Sequence, residues 1–188
     1  MPNIVAHYIC GKLVSKKLNI KNINYLKGNL YPDYVDKERH YRMKGKMFDI
    51  PDIERFIKYD KITDKYLKIG FLTHLMLDKL FLDDFVINKI YNKLDKNVNV
   101  FTADKIYNDY SIISSQLLNH YNISIDNLND IMIPEKNNID FLKYKKDIDL
   151  ITASRFEKLK YLNLESFIEF LDTSSEHISE YLEKNNFI

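Results

Sequence analysis

The sequence predicts an all-α protein of six to eight helices joined by short loops. Apolar residues recur with helical spacing along most of the chain, and no segment alternates with the period of two typical of a half-buried strand. The 188 residues include only four Gly and four Pro, too few for the many turns of a β-sandwich. Hydrophobic residues make up 45% of the chain, enough for one sizeable core, so we expect a single domain over residues 1–188.

The individual helices are located by apolar stripes and by residues that start or end a helix. Pro51 suits the first turn of a short helix, and Thr63 or Asp64 can cap a long one. Residues 22–45 are rich in turn-forming residues and are expected to be irregular. The expected helices span residues 4–18, 51–59, about 64–94, about 103–121, 125–131, 141–161 and 164–184.

The charge distribution is uneven although the net charge is only +1. Residues 1–46 hold ten Lys or Arg and three Asp or Glu, whereas residues 161–188 hold one Lys and six Glu or Asp. These are either two solvated surfaces of opposite sign, or a basic front that attracts an anionic ligand. The overall balance gives no general signal for nucleic acid or for a membrane surface.

The cysteine count and the hydropathy restrict the location and the kind of site. Cys10 is the single cysteine, which excludes an intramolecular disulfide and a cysteine-based zinc finger. A nucleophilic role for this thiol is disfavoured, because it lies on the apolar stripe of the first helix. No targeting segment or membrane-spanning run is visible, so we expect a cytoplasmic protein.

One helical segment carries polar residues in an otherwise apolar sequence. Gly70, His74 and Asp78 follow one another at intervals of four and therefore share a helix face. A helix this apolar is usually buried, so the imidazole and the carboxylate both need partners. Either they form a buried His–Asp hydrogen bond, or a divalent metal satisfies both. Gly70 would leave room for another element to approach.

Three further residues in the first half of the chain could join such a site. His7 lies on the apolar stripe of the first helix, where it is either a core histidine or a ligand. Asp33 follows Pro32 in a turn, where it is either a ligand or a turn-stabilising carboxylate. His40 lies in a polar run and by itself is typical of a surface residue.

The order of these pieces resembles a known family. The pieces are Met1 to His7, Gly28 to Asp33, His40, and Gly70 to Asp78. Together they resemble the zinc-dependent phospholipase C and S1–P1 nuclease superfamily, in particular a small bacterial cytoplasmic branch of hydrolases. The motifs cover roughly residues 1–90, whereas residues 100–188 are similar only in being helical.

The resemblance implies an all-α fold with zinc ions in a cleft between helices. It implies that one metal is held by Asp33, His40, His74 and Asp78, and that His7 contributes to a second metal bridged by Asp78. Imidazole nitrogen and carboxylate oxygen suit Zn²⁺, although Mn²⁺, Fe or Ni²⁺ would accept the same ligands. Asp33 is also a candidate for the catalytic base that orients the attacking water.

The basic residues beside His40 are candidates for substrate binding. Arg39, Arg42 and Lys44 could meet the oxygens of a phosphate group, and arginine can do so with two hydrogen bonds. The alternative is that they are ordinary surface charges.

The chain also departs from the family pattern. The secreted enzymes bind metal through the amino group of an N-terminal tryptophan, and this chain contains no tryptophan. They place a histidine six residues after the helix aspartate, where this chain has Asp84, preceded by Asp83, as either a substitute ligand or a solvated pair. Neither His120 nor His177 supplies their later His-x-x-x-Glu motif. We therefore expect one or two metals rather than three.

Three functions follow as hypotheses. The first is a metal-dependent hydrolase, a phospholipase C-like phosphoesterase that uses a metal-activated water on a small or lipid-derived phosphoester. The second is a metal-binding helical protein with little or no catalysis that acts as an interaction or structural module, which the absent third-site ligands favour. The third is a nuclease, against which the lack of tryptophan for base stacking and the lower density of basic residues beyond the first quarter argue.

Overall fold

A computed structural model describes residues 2–35, 40–90, 103–154 and 158–188. Within these ranges the prediction of a predominantly helical fold is confirmed, with eight α-helices. No helix in the described ranges is long and apolar enough to cross a membrane. The helices are α1 (Ile4–Lys17), α2 (Ile23–Leu30), α3 (Ile53–Tyr59), α4 (Lys65–Leu80), α5 (Ala103–His120), α6 (Asp126–Met132), α7 (Phe141–Ala153) and α8 (Leu164–Lys184).

Side-chain caps fix where the site-bearing helices begin. The Asn3 side chain accepts a hydrogen bond from the Ala6 N–H at 3.1 Å at the start of α1. Asp64, one of the two predicted caps of the long helix, accepts from the Leu67 N–H at 2.8 Å at the start of α4. Each cap satisfies a backbone donor that has no partner within the helix.

The expectation that residues 22–45 are irregular is wrong in part. Residues 23–30 form α2, started by the Asn22 side chain, and a 3₁₀ turn at Tyr31–Tyr34 follows directly. Strand β1 (Arg42–Lys44) then pairs antiparallel with β2 (Asp49–Pro51). Packing against α4 overrides the weak helical propensity of this segment, and three-residue strands are too short to show alternation.

One predicted helix changes its geometry along its length, and another ends earlier than expected. The helix expected to reach residue 94 is α-helical to Leu80 and continues as a π-helix over Phe81–Ile90, and residues 91–102 lie outside the described ranges. The helix expected over residues 141–161 ends at Ala153, and the backbone N–H groups of residues 160–162 bind the Asp109 carboxylate instead of helix carbonyls.

Helices α2 and α4 touch backbone to backbone. A Cβ atom at Gly70 would overlap the carbonyl oxygen of Tyr25, and one at Gly28 would overlap the carbonyl oxygen of Leu67. The prediction that Gly70 admits another element is therefore confirmed. This approach holds the end of α2 and the turn after it against the centre of α4, where every residue from Ile69 to Asp78 is buried.

Candidate metal centre

The structure brings the five predicted ligand residues together from separate elements. They form two overlapping groups of three, and in each group one ligand atom from every residue lies within 4.8 Å of the others. His74 belongs to both groups. The first group is His7 from α1, Asp33 from the 3₁₀ turn and His74 from α4, and the second is His40 from the segment before β1 with His74 and Asp78.

This grouping differs from the one that the resemblance implies. There, Asp33 shares a metal with His40 and Asp78, whereas here it lies with His7 and His74. His7 still approaches Asp78, with Nε2 3.4 Å from Oδ1. The five side chains thus form one continuous cluster, which is referred to below as the His–Asp cluster.

The rings of the His–Asp cluster are closely packed. His7 and His74 stack with ring centroids 3.6 Å apart and an angle of 10° between their planes. His40 meets His74 edge to face at 5.7 Å between centroids. His74 Nε2 lies 3.6 Å from Asp78 Oδ2, one turn further along α4. The predicted i,i+4 pair therefore faces the same point in space as His7 and His40.

Asn29, at the end of α2, orients the His74 imidazole and holds the backbone of His7. Its backbone carbonyl lies 2.9 Å from His74 Nδ1, which places the donated proton on Nδ1 and leaves Nε2 toward Asp78. Its side-chain amide donates to the backbone carbonyl of His7. Gly11 makes room for this amide, since a Cβ at Gly11 would overlap it. Fixing a metal-ligating imidazole through its other nitrogen is a common feature of metal sites.

The polar atoms of the cluster are buried but not satisfied. His7, His74 and Asp78 are each 0% exposed. Among the described residues, both ring nitrogens of His7, Nε2 of His74 and both carboxylate oxygens of Asp78 have no hydrogen-bond partner, because the His–Asp approaches lack hydrogen-bond geometry. Leaving one buried polar group unpaired costs about 1–3 kcal/mol, so five such atoms indicate that a partner is missing.

Three of the four pKa shifts favour the protonation state that a metal ligand needs, and the raised pKa of His74 is the exception. Burial, with the nearby charge of His74, lowers the pKa of His7, and the same two causes lower the pKa of His40 to about 4. Burial alone would lower the pKa of His74, but the Asp78 carboxylate outweighs it and raises that pKa. Burial alone would raise the pKa of Asp78, but His74 and His7 hold it well below its usual range. Asp78 is therefore ionised at neutral pH, while His7 and His40 are neutral.

Asp33 is the least buried of the five residues, and α7 fixes the turn that carries it. The Lys143 ammonium donates to the Asp33 backbone carbonyl at 2.6 Å, and the Asp140 N–H donates to the Tyr34 carbonyl at 2.7 Å. The Asp33 carboxylate stays half-buried at the edge of the cluster. A ligand that approaches from solvent therefore meets Asp33 before the buried members.

The predicted substrate-binding cations lie elsewhere or outside the described ranges. Arg39 is outside the described residues. Arg42 and Lys44 are exposed on β1, and Arg42 Nη1 donates to the Asp49 carbonyl at 2.8 Å within the hairpin. The hairpin uses the Arg42 guanidinium, at least in part, to hold its own strands together.

The other candidate residues do not join the His–Asp cluster. Asp84 is exposed, accepts a hydrogen bond from Asn88, and lines a cavity on the α8 side together with His177. His120 is exposed at the end of α5. Cys10 is buried, and burial raises the pKa of its thiol to about 12, so the thiolate needed for nucleophilic attack does not form near neutral pH.

The donor set of the His–Asp cluster fits a divalent cation. It contains two imidazoles and a carboxylate with unpaired buried atoms, next to a third imidazole and a second carboxylate. Nitrogen and oxygen ligands of this kind suit Zn²⁺ and its first-row neighbours. No protein-family model, curated protein or solved structure matches the chain. The functional conclusion therefore rests on the chemistry of the His–Asp cluster and on the resemblance of the motifs that form it.

Proposed function

We propose that the chain is a metal-dependent phosphoesterase that holds one or two divalent ions, zinc foremost, in a cleft between α1, α4 and the turn at Tyr31–Tyr34. The unsatisfied polar atoms of His7, His74 and Asp78 in the core carry this proposal. A positive ion would satisfy the imidazole lone pairs and the Asp78 carboxylate together. The resemblance to the zinc-dependent phospholipase C and S1–P1 nuclease superfamily supports the same function.

The chemistry divides between the ion and the side chains. A divalent ion bound there would polarise the phosphoryl oxygens and lower the pKa of a water molecule toward neutrality. Asp78 balances positive charge in a fully buried position, and Asn29 holds the His74 ring in the orientation that leaves Nε2 toward Asp78. Asp33 is half-buried, so its carboxylate is suited to accept a proton from the attacking water.

The overall reaction is a hydrolysis. The water oxygen forms a new bond to phosphorus and gives its proton to Asp33, while the bond from phosphorus to the alcohol oxygen breaks. The leaving alkoxide takes up a proton from Asp33 or from solvent, so the products are an alcohol and a phosphate. Substrate access is expected on the side of Asp33, since His7 and His74 are enclosed by helices. The proposed substrate is therefore a small or lipid-derived phosphoester that presents its phosphoryl group at the cluster edge.

The depth of the cluster also favours a second candidate, a metal-binding structural module. His7, His74 and Asp78 are fully buried, and His40 is 3% exposed, as expected for a site that stabilises a fold. An ion bound there would link α1, α4 and the segment before β1 without needing a substrate. This candidate predicts tight metal binding without turnover.

A substrate screen separates the two candidates. Protein purified without a metal-affinity tag and loaded with zinc would be tested on phosphomonoesters, phosphodiesters, phospholipids and single-stranded DNA, with and without chelator. We expect hydrolysis that chelator abolishes and zinc restores, and that is lost in His74→Ala but retained in His177→Ala, an exposed histidine outside the cluster. Bound zinc without turnover of any ester would support the structural module. Protein that binds no metal would contradict both.

A further inference from the structure

A cavity of about 370 Å³ lies at the edge of the His–Asp cluster. The start of α1, the middle of α5 and one face of α7 form its walls, and Asp33 belongs to both the cavity and the cluster. Its apolar wall is formed by Ile4, Leu150 and Ile151. A molecule bound in this cavity would thus have one end at the Asp33 carboxylate.

Lys143 provides the positive charge of this cavity. Its ammonium is held by the Asp33 carbonyl at 2.6 Å and lies 5.1 Å from the centre of the Tyr34 ring. A lysine ammonium has three donors, and the Asp33 carbonyl is the only hydrogen-bond acceptor that the described residues give it. The remaining donors are available to the oxygens of an anionic group.

Asp147 lies one helical turn after Lys143 and lines the same cavity. Its carboxylate accepts a hydrogen bond from the Tyr34 hydroxyl at 2.8 Å, which uses one of its roughly four acceptor positions. The charged groups that line the cavity are Asp33, Lys143 and Asp147. A purely anionic ligand would be repelled by Asp33 and Asp147, whereas a phosphoester whose alcohol carries hydroxyl groups could place its phosphoryl group at Lys143 and a hydroxyl at Asp147.

We propose that this cavity is the substrate site of the phosphoesterase, in which Lys143 binds a phosphoryl oxygen and Asp147 accepts a hydroxyl of the esterified alcohol. The inference rests on the proposed function and adds the substrate class, a small phosphoester of a hydroxylated alcohol. In this proposal the phosphate-binding cation is Lys143, 110 residues beyond Asp33. It takes the role predicted for Arg42 and Lys44, which lie exposed on the hairpin.

The test is a binding titration of zinc-loaded protein with inorganic phosphate and with glycerol 3-phosphate. We expect Lys143→Met to weaken phosphate binding by about tenfold to a hundredfold, since a hydrogen bond to a charged group is typically worth that much. Lys143→Arg should keep most of the affinity, and Lys145→Met, an exposed lysine of the same helix, should keep all of it. Asp147→Asn should reduce the preference for glycerol 3-phosphate over phosphate.

Zinc content measured on the same samples excludes a purely structural role for Lys143. Lys143→Met that loses zinc, or that binds phosphate as tightly as wild type, would overturn the inference. Chelator-sensitive hydrolysis that Lys143→Met leaves unchanged would overturn it too, and would leave the proposed function standing. If phosphate binding depends on Lys143 but the protein hydrolyses no ester, the proposed function would be contradicted, while the cavity would still be a phosphate-binding site.

Discussion

Asp78 and Asp109 are both buried aspartates on helices, and their surroundings differ completely. The Asp109 carboxylate accepts hydrogen bonds from three successive backbone N–H groups, those of Lys160, Tyr161 and Leu162, at 2.5–3.1 Å. The Asp78 carboxylate faces the imidazoles of His7 and His74 without hydrogen-bond geometry, and His40 belongs to the same group. The chain's own backbone satisfies one carboxylate, and no group in the described residues satisfies the other.

The difference separates a structural carboxylate from a functional one. A buried charge is tolerated when hydrogen bonds replace its lost hydration, which is the situation of Asp109. A buried carboxylate that has no hydrogen bond to replace its hydration calls for a cation instead, which is the situation of Asp78. The following predictions, from the largest expected effect to the smallest, test this contrast.

Replacing Asp109 should cause the largest loss of stability, and the loss should not depend on metal. Asp109→Ala would remove the shared acceptor of three backbone N–H groups, one of them at the buried Leu162, which lowers the free energy of unfolding by about 3 kcal/mol or more. Urea denaturation of zinc-free and zinc-loaded protein measures the loss, with Asp149→Ala on the exposed face of α7 as a control. A loss of stability seen only with zinc present would show that Asp109 supports the metal site, and would contradict its assignment as a purely structural carboxylate.

Replacing Asp78 should have the opposite effect: the change in stability should depend on zinc. In the wild type, free zinc at a hundred times its dissociation constant should raise the free energy of unfolding by about 2.7 kcal/mol. Asp78→Asn preserves the shape of the side chain but removes the charge, so this gain should disappear. His177→Ala should retain it. A zinc-dependent gain that persists in Asp78→Asn would contradict a metal site built on this carboxylate.

Replacing Gly70 should disturb fold and site together. Gly70→Ala places a methyl group on the Tyr25 carbonyl and forces α2 away from α4, which should cost about 2 kcal/mol. Because α2 also positions Asn29 and leads into the turn with Asp33, the variant should bind zinc more weakly than wild type. Thermal unfolding and zinc titration measure the two effects, and Lys65→Ala at the exposed start of α4 is the control. Wild-type stability and zinc affinity in Gly70→Ala would show that the close approach is not needed.

A peripheral ion pair should give the smallest effect, with a defined pH dependence. The hydrogen bonds from Lys27, at 2.6 Å, and from Tyr31 lower the pKa of Glu135 to about 2 from its usual value of 4.5. A carboxyl whose pKa is lowered by folding adds stability above its unfolded pKa and loses it as the pH falls through the folded value. Glu135→Gln should therefore cost about 1 kcal/mol at pH 6, and the difference from wild type should shrink between pH 4.5 and pH 2. A difference that is the same at pH 6 and pH 2.5 would contradict this assignment.

The sequence predicted the residues of the His–Asp cluster more completely than their supporting partners. His74 and Asp78 were identifiable because a polar pair at a spacing of four interrupts an apolar helix, and Gly70 because it continues that stripe. Asn29 was missed as an orienting residue, since its contacts to His7 and His74 exist only once α2 packs on α4. Its position directly after Gly28 is a signal in the sequence, but that dipeptide by itself indicates only a turn.

Long-range partners account for the rest of what the sequence did not reveal. Asp109 resembles any polar residue of an amphipathic helix, and its partners lie 51–53 residues further along the chain. Lys143 reaches the Asp33 turn across 110 residues, whereas Arg42 and Lys44, close to His40 in sequence, lie exposed on the hairpin. Spacing within one helix is local information, but the packing of α7 against the turn is not.

The most direct test of the central claim is the metal content of three proteins purified without an affinity tag and dialysed against trace zinc. The account predicts one or two zinc ions per chain in the wild type and in Asp109→Asn, provided that the latter folds, and less than a tenth of the wild-type content in Asp78→Asn. Circular dichroism confirms the fold of each sample. Wild-type protein without zinc, or Asp78→Asn with the wild-type zinc content, would contradict the claim that Asp78 is completed by a metal ion.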